Sequence, residues 1–63
     1  MLINVTDLDG KEHWVNPEAI SHINADVDAQ GEQCYAVLMT RPDVPIFLDA
    51  FHCYALIDSV NTL

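Results

Sequence analysis

The sequence predicts a small α+β domain, an antiparallel meander of four to five short strands with one carboxyl-terminal helix packed on the sheet. Three observations predict it. Short apolar segments separated by turn residues recur from Leu2 to Leu48, Asp9-Gly10 marks a hairpin, and the run from Asp49 to Leu63 repeats apolar residues at helical spacing without proline or glycine. Residues 1–63 read as a single domain, with no repeats, linkers or low-complexity segments.

Leu2 to Thr6 is the first expected strand, Ile3 and Val5 pointing one way and Asn4 and Thr6 the other. Asp9-Gly10 supplies the positive φ angles of a two-residue hairpin turn flanked by Leu8 and Lys11, and Glu12 to Val15 returns. Such a loop sets Val5 opposite Trp14, a branched aliphatic residue against a large aromatic. Asn16-Pro17-Glu18 is a cap followed by proline, which starts one short helical turn. Ile20 to Val27 carries an interrupted alternation that reads as a third strand, and Asp28 to Gln33, with Gly31, is the loop after it. Cys34 to Thr40 is apolar on both faces, as a central strand covered on both sides is. Arg41-Pro42-Asp43-Val44-Pro45 reads as a turn because its prolines remove backbone donors and exclude helical geometry before them; Ile46 to Leu48 is then a short last strand.

The closing helix has Asp49 as its N-cap, a carboxylate able to accept from first-turn amides at the positive end of the dipole. Cys53, Leu56, Ile57, Val60 and Leu63 share one stripe, with Phe51 and Tyr54 beside it and Asp58, Ser59, Asn61 and Thr62 largely opposite. A chain of about 60 residues buries only about 60% of its unfolded surface, so the core is thin. The aromatic residues Trp14, Tyr35, Phe47, Phe51 and Tyr54 exceed what one small interior holds and are expected in the core or at a homodimer interface.

Charge narrows the function classes. Ten Asp and Glu against Lys11 and Arg41 give a net charge of −8, which repels phosphate backbones and argues against direct binding of nucleic acid or an anionic membrane. A protein partner with a basic surface fits instead. The candidate contacts are Asp26, Asp28 and Glu32 in one loop region and Asp7, Asp9 and Glu12 around the first hairpin. The amino end has no basic segment or cleavage site, and the apolar run Tyr35 to Met39 is too short to span a bilayer, so a cytosolic chain is expected. Cys34 and Cys53 are accordingly expected reduced and packed as small hydrophobes.

Motifs for chemistry are weak. Asp7-Leu8-Asp9-Gly10 is like the start of a calcium loop, but no third ligand follows in register and no bidentate glutamate closes it. His13, His22, His52, Cys34 and Cys53 lack zinc spacing, since His52 and Cys53 are adjacent on a helix. Cys53 beside a histidine could in principle form a nucleophilic pair, but a cysteine on an inward stripe without basic neighbours is a packing residue. No catalytic residue, cofactor or metal is assigned, and a small metal-binding or thiol enzyme is the third-ranked reading.

Two resemblances bear on function. Ile3-Asn4-Val5-Thr6, Leu8-Asp9-Gly10-Lys11-Glu12 and Asn16-Pro17 with Ile20 and Ile23 resemble the FlbD-like flagellar or swarming-motility proteins over roughly the first 23 residues; residues 28–63 depart from that pattern. The resemblance implies a small cytosolic regulatory factor without catalytic residues. In size, acidity and lack of motifs the chain also looks like small phage-encoded inhibitors of bacterial defence complexes, anti-CRISPR proteins among them, which implies an acidic inhibitor or adaptor.

Overall fold

Five strands and one helix follow in the order Ile3–Thr6 (β1), Glu12–Val15 (β2), Ile20–Val27 (β3), Gln33–Met39 (β4), Ile46–Leu48 (β5) and Ala50–Asn61 (α1). The computed structural model describes residues 1–40 and 44–63, so the expected turn over Arg41, Pro42 and Asp43 lies outside the described residues. The class is α+β, with the helix packed on antiparallel strands. The strands do not form one meander: β1 and β2 make one sheet, and β3, β4 and β5 make a second in the order β3-β4-β5. The division falls at Asn16-Pro17. Asn16 Oδ1 accepts from the Glu18 amide at 3.1 Å and opens a 3₁₀ turn over Pro17–Ala19, which redirects the chain before β3. A backbone hydrogen bond from Leu8 N to Phe47 O, 3.0 Å long, joins the two sheets.

Register corrects the expected first hairpin. Val5 lies opposite His13, and Asn4 opposite Trp14. The loop is three residues long, Leu8, Asp9 and Gly10, closed by Asp7 N to Lys11 O at 2.9 Å and by Gly10 N to Asp7 O at 3.0 Å. Gly10 takes the left-handed position (φ 83°) that such a loop places just before the return strand. A one-residue change of register turns every side chain of a strand over. Trp14 is therefore on the outer face of β2 and 68% exposed, whereas Ile3, Val5, His13 and Val15 share the inner face.

The second hairpin repeats the device. Asp28 N bonds Glu32 O at 2.8 Å, Gly31 N bonds Asp28 O at 3.1 Å, and Gly31 has φ 80°. The chain thus does contain a short repeat, Asp-x-x-Gly followed by a polar residue, at 7–11 and 28–32. The loop expected over Asp28 to Gln33 is this tight turn, and β4 begins at Gln33.

The core lies between the strands and α1. Val5, Val15, Val37, Leu48, Cys53 and Leu56 are buried together, with Ile3, Ile20, Ile23, Met39, Ile46 and Val60 packed against them. Burying an aliphatic side chain of this size contributes about 1.5–3 kcal/mol, so the fold rests on a few residues. The central position of β4 is as expected: Cys34 and Ala36 are buried on one face and Val37 on the other. Both cysteines are buried and unbridged. Asp49 caps α1, its Oδ1 accepting from the His52 amide at 2.8 Å. The expected helical stripe is narrower in fact. Cys53 and Leu56 are buried and Val60 half-buried, while Ile57 and Leu63 are exposed and the helix ends at Asn61. Phe51 projects outward, and Tyr54 is exposed beside Tyr35 of β4.

Candidate functional site

The two Asp-x-x-Gly loops stand side by side, and an open depression of about 580 Å³ lies between them. Asp7, Asp9, Asp26 and Asp28 line it together with Lys11 and His13, and Leu8, Val44, Phe47 and Cys34 supply apolar surface. Four of the six carboxylates expected to contact a partner are thus gathered in one place. Glu12 and Glu32 lie outside it: Glu12 begins β2, and Glu32 closes the second turn just before β4.

Each loop positions its first aspartate the same way. Asp7 Oδ1 accepts from the amides of Asp9 and Lys11, both at 2.9 Å, and Asp28 Oδ1 accepts from those of Gln30 and Glu32, both at 2.9 Å. Short polar side chains that satisfy turn amides in this way fix the loop without a core beneath it. Asp7 has a further partner, because His13 Nε2 donates to its Oδ2 at 2.7 Å from the facing strand. That bond, with the Lys11 and Asp9 amides, holds the Asp7 carboxyl below its ordinary value. Asp26 Oδ1 accepts from the Val27 amide at 2.8 Å.

The negative field reaches the floor. Burial pushes the Cys34 thiol up, and the charges of Asp26 and Asp28 add to the rise. Cys53 is likewise raised by burial. A thiol held in its protonated form is a poor nucleophile. Among the described residues no group of three or more His, Cys, Asp and Glu could hold a metal ion. Among them, also, no helix is long and apolar enough to cross a membrane.

The five aromatic residues divide. Tyr35 is half-buried, its hydroxyl 3.1 Å from that of Tyr54, with the rings tilted at a centroid distance of 5.7 Å. Each hydroxyl thereby gains a partner, and the Tyr35 phenol is raised by the bond to Tyr54 and by burial. Phe51 is exposed on α1, edge-on to His52 at 5.3 Å, and Phe47 borders the depression. None of Trp14, Phe47, Phe51 and Tyr54 is a core residue. Sequence reasoning missed His13 as the partner that anchors Asp7, and Val44 and Phe47 as the apolar side of the depression. The spacing common to Asp7–Gly10 and Asp28–Gly31 was the available signal that two like-built acidic loops exist. No family model, curated protein or solved structure matches the chain.

Proposed function

We propose that the protein is a non-catalytic acidic binding module that occupies a basic, nucleic-acid-binding surface of a partner protein, in the manner of the small phage inhibitors of bacterial defence complexes. The observation that carries this reading is the gathering of Asp7, Asp9, Asp26 and Asp28 around one open depression with an apolar side. Lysine and arginine side chains have apolar stems and charged heads, and a surface of this composition takes both parts. The net charge of −8 extends the attraction beyond the contact and steers a cationic groove toward it. Carboxylates gathered at two hydrogen-bonded turns and the end of β3 compete with phosphate for the same cations without needing a nucleic-acid backbone.

The test is a pull-down from bacterial lysate at low and high salt, repeated with two charge-matched variants. Asp9→Asn/Asp28→Asn removes two charges from the depression, and the side-chain amide oxygen introduced in place of the Asp28 carboxylate still accepts from the turn amides. Glu12→Gln/Glu32→Gln removes two charges from outside it. The reading predicts capture of a nucleic-acid-binding protein that high salt releases, and an affinity about three- to tenfold weaker for the first variant but nearly unchanged for the second. Equal weakening by both variants would leave only a general charge effect. A salt-resistant partner from the flagellar machinery would replace the reading with that of a FlbD-like regulatory factor.

A further inference from the structure

We infer that β3 is a self-pairing edge, and that two copies of the chain join antiparallel along it about a two-fold axis at Asn24. β3 is eight residues long, lies at the outside of its sheet and is paired with β4 alone among the described residues. The opposite edge, β5, is three residues long and already takes the bond from Leu8. An edge as long as β3 presents a row of unpaired backbone groups that templates another strand.

The hydrogen-bond phase of β3 identifies which groups are free. Asp28 N bonds Glu32 O across the hairpin, so the backbone groups of residue 28 face β4. Alternation along an antiparallel ladder then turns those of Asp26 and Asn24 toward β4 and those of Val27, Ala25 and Ile23 outward. The Val27 amide agrees, since it bonds the Asp26 carboxylate at its own edge and not a neighbouring strand. Ile23 and Ala25 are left to pair with a second copy.

Charge selects the register. Centred on Asn24, the pairing sets Ile23 opposite Ala25 of the other copy, each exchanging both backbone hydrogen bonds, and sets His22 opposite Asp26 on both sides of the axis. Imidazole meets carboxylate twice, and no like charges face each other. Centring on Ile23 would place Asp26 against Ile20. Centring on Ala25 would set Asn24 against Asp26 and His22 against Asp28, which lies past the end of β3 with its Oδ1 already held by the Gln30 and Glu32 amides. The ladder centred on Asn24 runs from 22 to 26 on each copy, ending at the register shift between Ile20 and His22 on one side and short of Val27, whose amide Asp26 holds, on the other.

The margin behind the edge is suited to being covered. On the helix side Ala25 and Val27 are exposed beside Tyr35 and Gln33, their cross-strand partners, and Ile57 borders a groove of about 180 Å³ with Ile20 and Ile23. Pairing would make one sheet of six strands, three from each copy, with both helices on one face and both acidic depressions on the sheet they share. Asp26 belongs to both features, lining the depression and facing His22 of the other copy, whereas Asn24 and Ala25 lie outside the depression, so variants there test the pairing apart from what the depressions bind.

Four variants test it by sedimentation and cross-linking from micromolar to submillimolar concentration. Ala25→Pro removes an outward amide, a place where an edge strand tolerates proline, so the monomer keeps its ladder while the pairing loses a bond on each side. In the inferred register the two Asn24 residues form a non-hydrogen-bonded pair with Cα atoms about 4.5 Å apart, inside disulfide reach of about 4.4–6.8 Å. Asn24→Cys is therefore expected to give a covalent dimer under mild oxidation, Cys34 and Cys53 being buried. The native chain is expected to dimerise, and Ala25→Pro to raise the dissociation constant at least about tenfold. His22→Asp is expected to weaken the dimer, and the exchange His22→Asp/Asp26→His to restore it. A native chain that stays monomeric throughout, a dimer indifferent to Ala25→Pro, or a dimer that Asn24→Cys does not cross-link would overturn the inference.

Discussion

Two aspartates, Asp7 and Asp49, hold the ends of elements through the same chemistry, a carboxylate that accepts from backbone amides and from a histidine close by. In Asp7 the His13 ring at 2.7 Å is the leading cause of its lowered pKa; in Asp49 it is the His52 amide, followed by the His52 ring at 2.8 Å. A carboxyl depressed in the folded state stabilises it above the ordinary value of 3.8 and loses that contribution as pH falls through the folded value. Thermal stability is therefore expected to hold from neutrality down to about pH 4 in this respect and to fall below it. Asp7→Asn should flatten that acid limb, which a calorimetric pH series reads directly. The Asp9-Gly10 pair shows how far single residues were legible. It identified a hairpin correctly, yet Asp-Gly serves both a two-residue turn and the longer loop in which glycine follows a type I turn. The choice between them is made by Asp7, whose side chain bonds the Asp9 and Lys11 amides, and it decides on which face Trp14 lies.

At the scale of the element, α1 was the most legible part of the chain. Its cap, its start at Ala50 and the burial of Cys53 and Leu56 follow from spacing alone. The width of the buried stripe did not, because it depends on how closely the sheet covers the helix: Ile57 borders an open groove with Ile20 and Ile23, and Phe51 is exposed. The consequence is measurable by urea unfolding. Leu56→Ala, at a site 1% exposed, is expected to cost about 2–4 kcal/mol. Phe51→Ala, at a site 77% exposed, should lie within about 0.5 kcal/mol of the parent despite deleting a larger side chain. Equal losses from both would mean that Phe51 is covered in solution. The division of the strands at Asn16-Pro17 was half legible. The cap and proline announced a turn, but whether the chain then rejoins the first sheet or starts another depends on contacts far apart in sequence.

For the whole molecule, the charge excess was plain from composition, whereas its arrangement was not. Asp7 and Asp9 are some twenty residues from Asp26 and Asp28, and only the docking of one sheet beside the other, through Leu8 and Phe47, brings their loops together. Sequence named these four acids but equally named Glu12 and Glu32, which the fold leaves outside. The acidic depression lies where the two sheets meet and the open β3 edge borders the second of them; Asp26 belongs to both.

A residue-resolved NMR titration with a lysine- and arginine-rich peptide, at low and at high salt, reads the acidic depression directly. Amides of both loops, 7–11 and 26–32, are expected to shift together along one binding curve and to return toward their free positions as salt screens the contact. Shifts confined to the exposed face of α1 or to the Trp14 side, or shifts that salt leaves unchanged, would contradict that expectation.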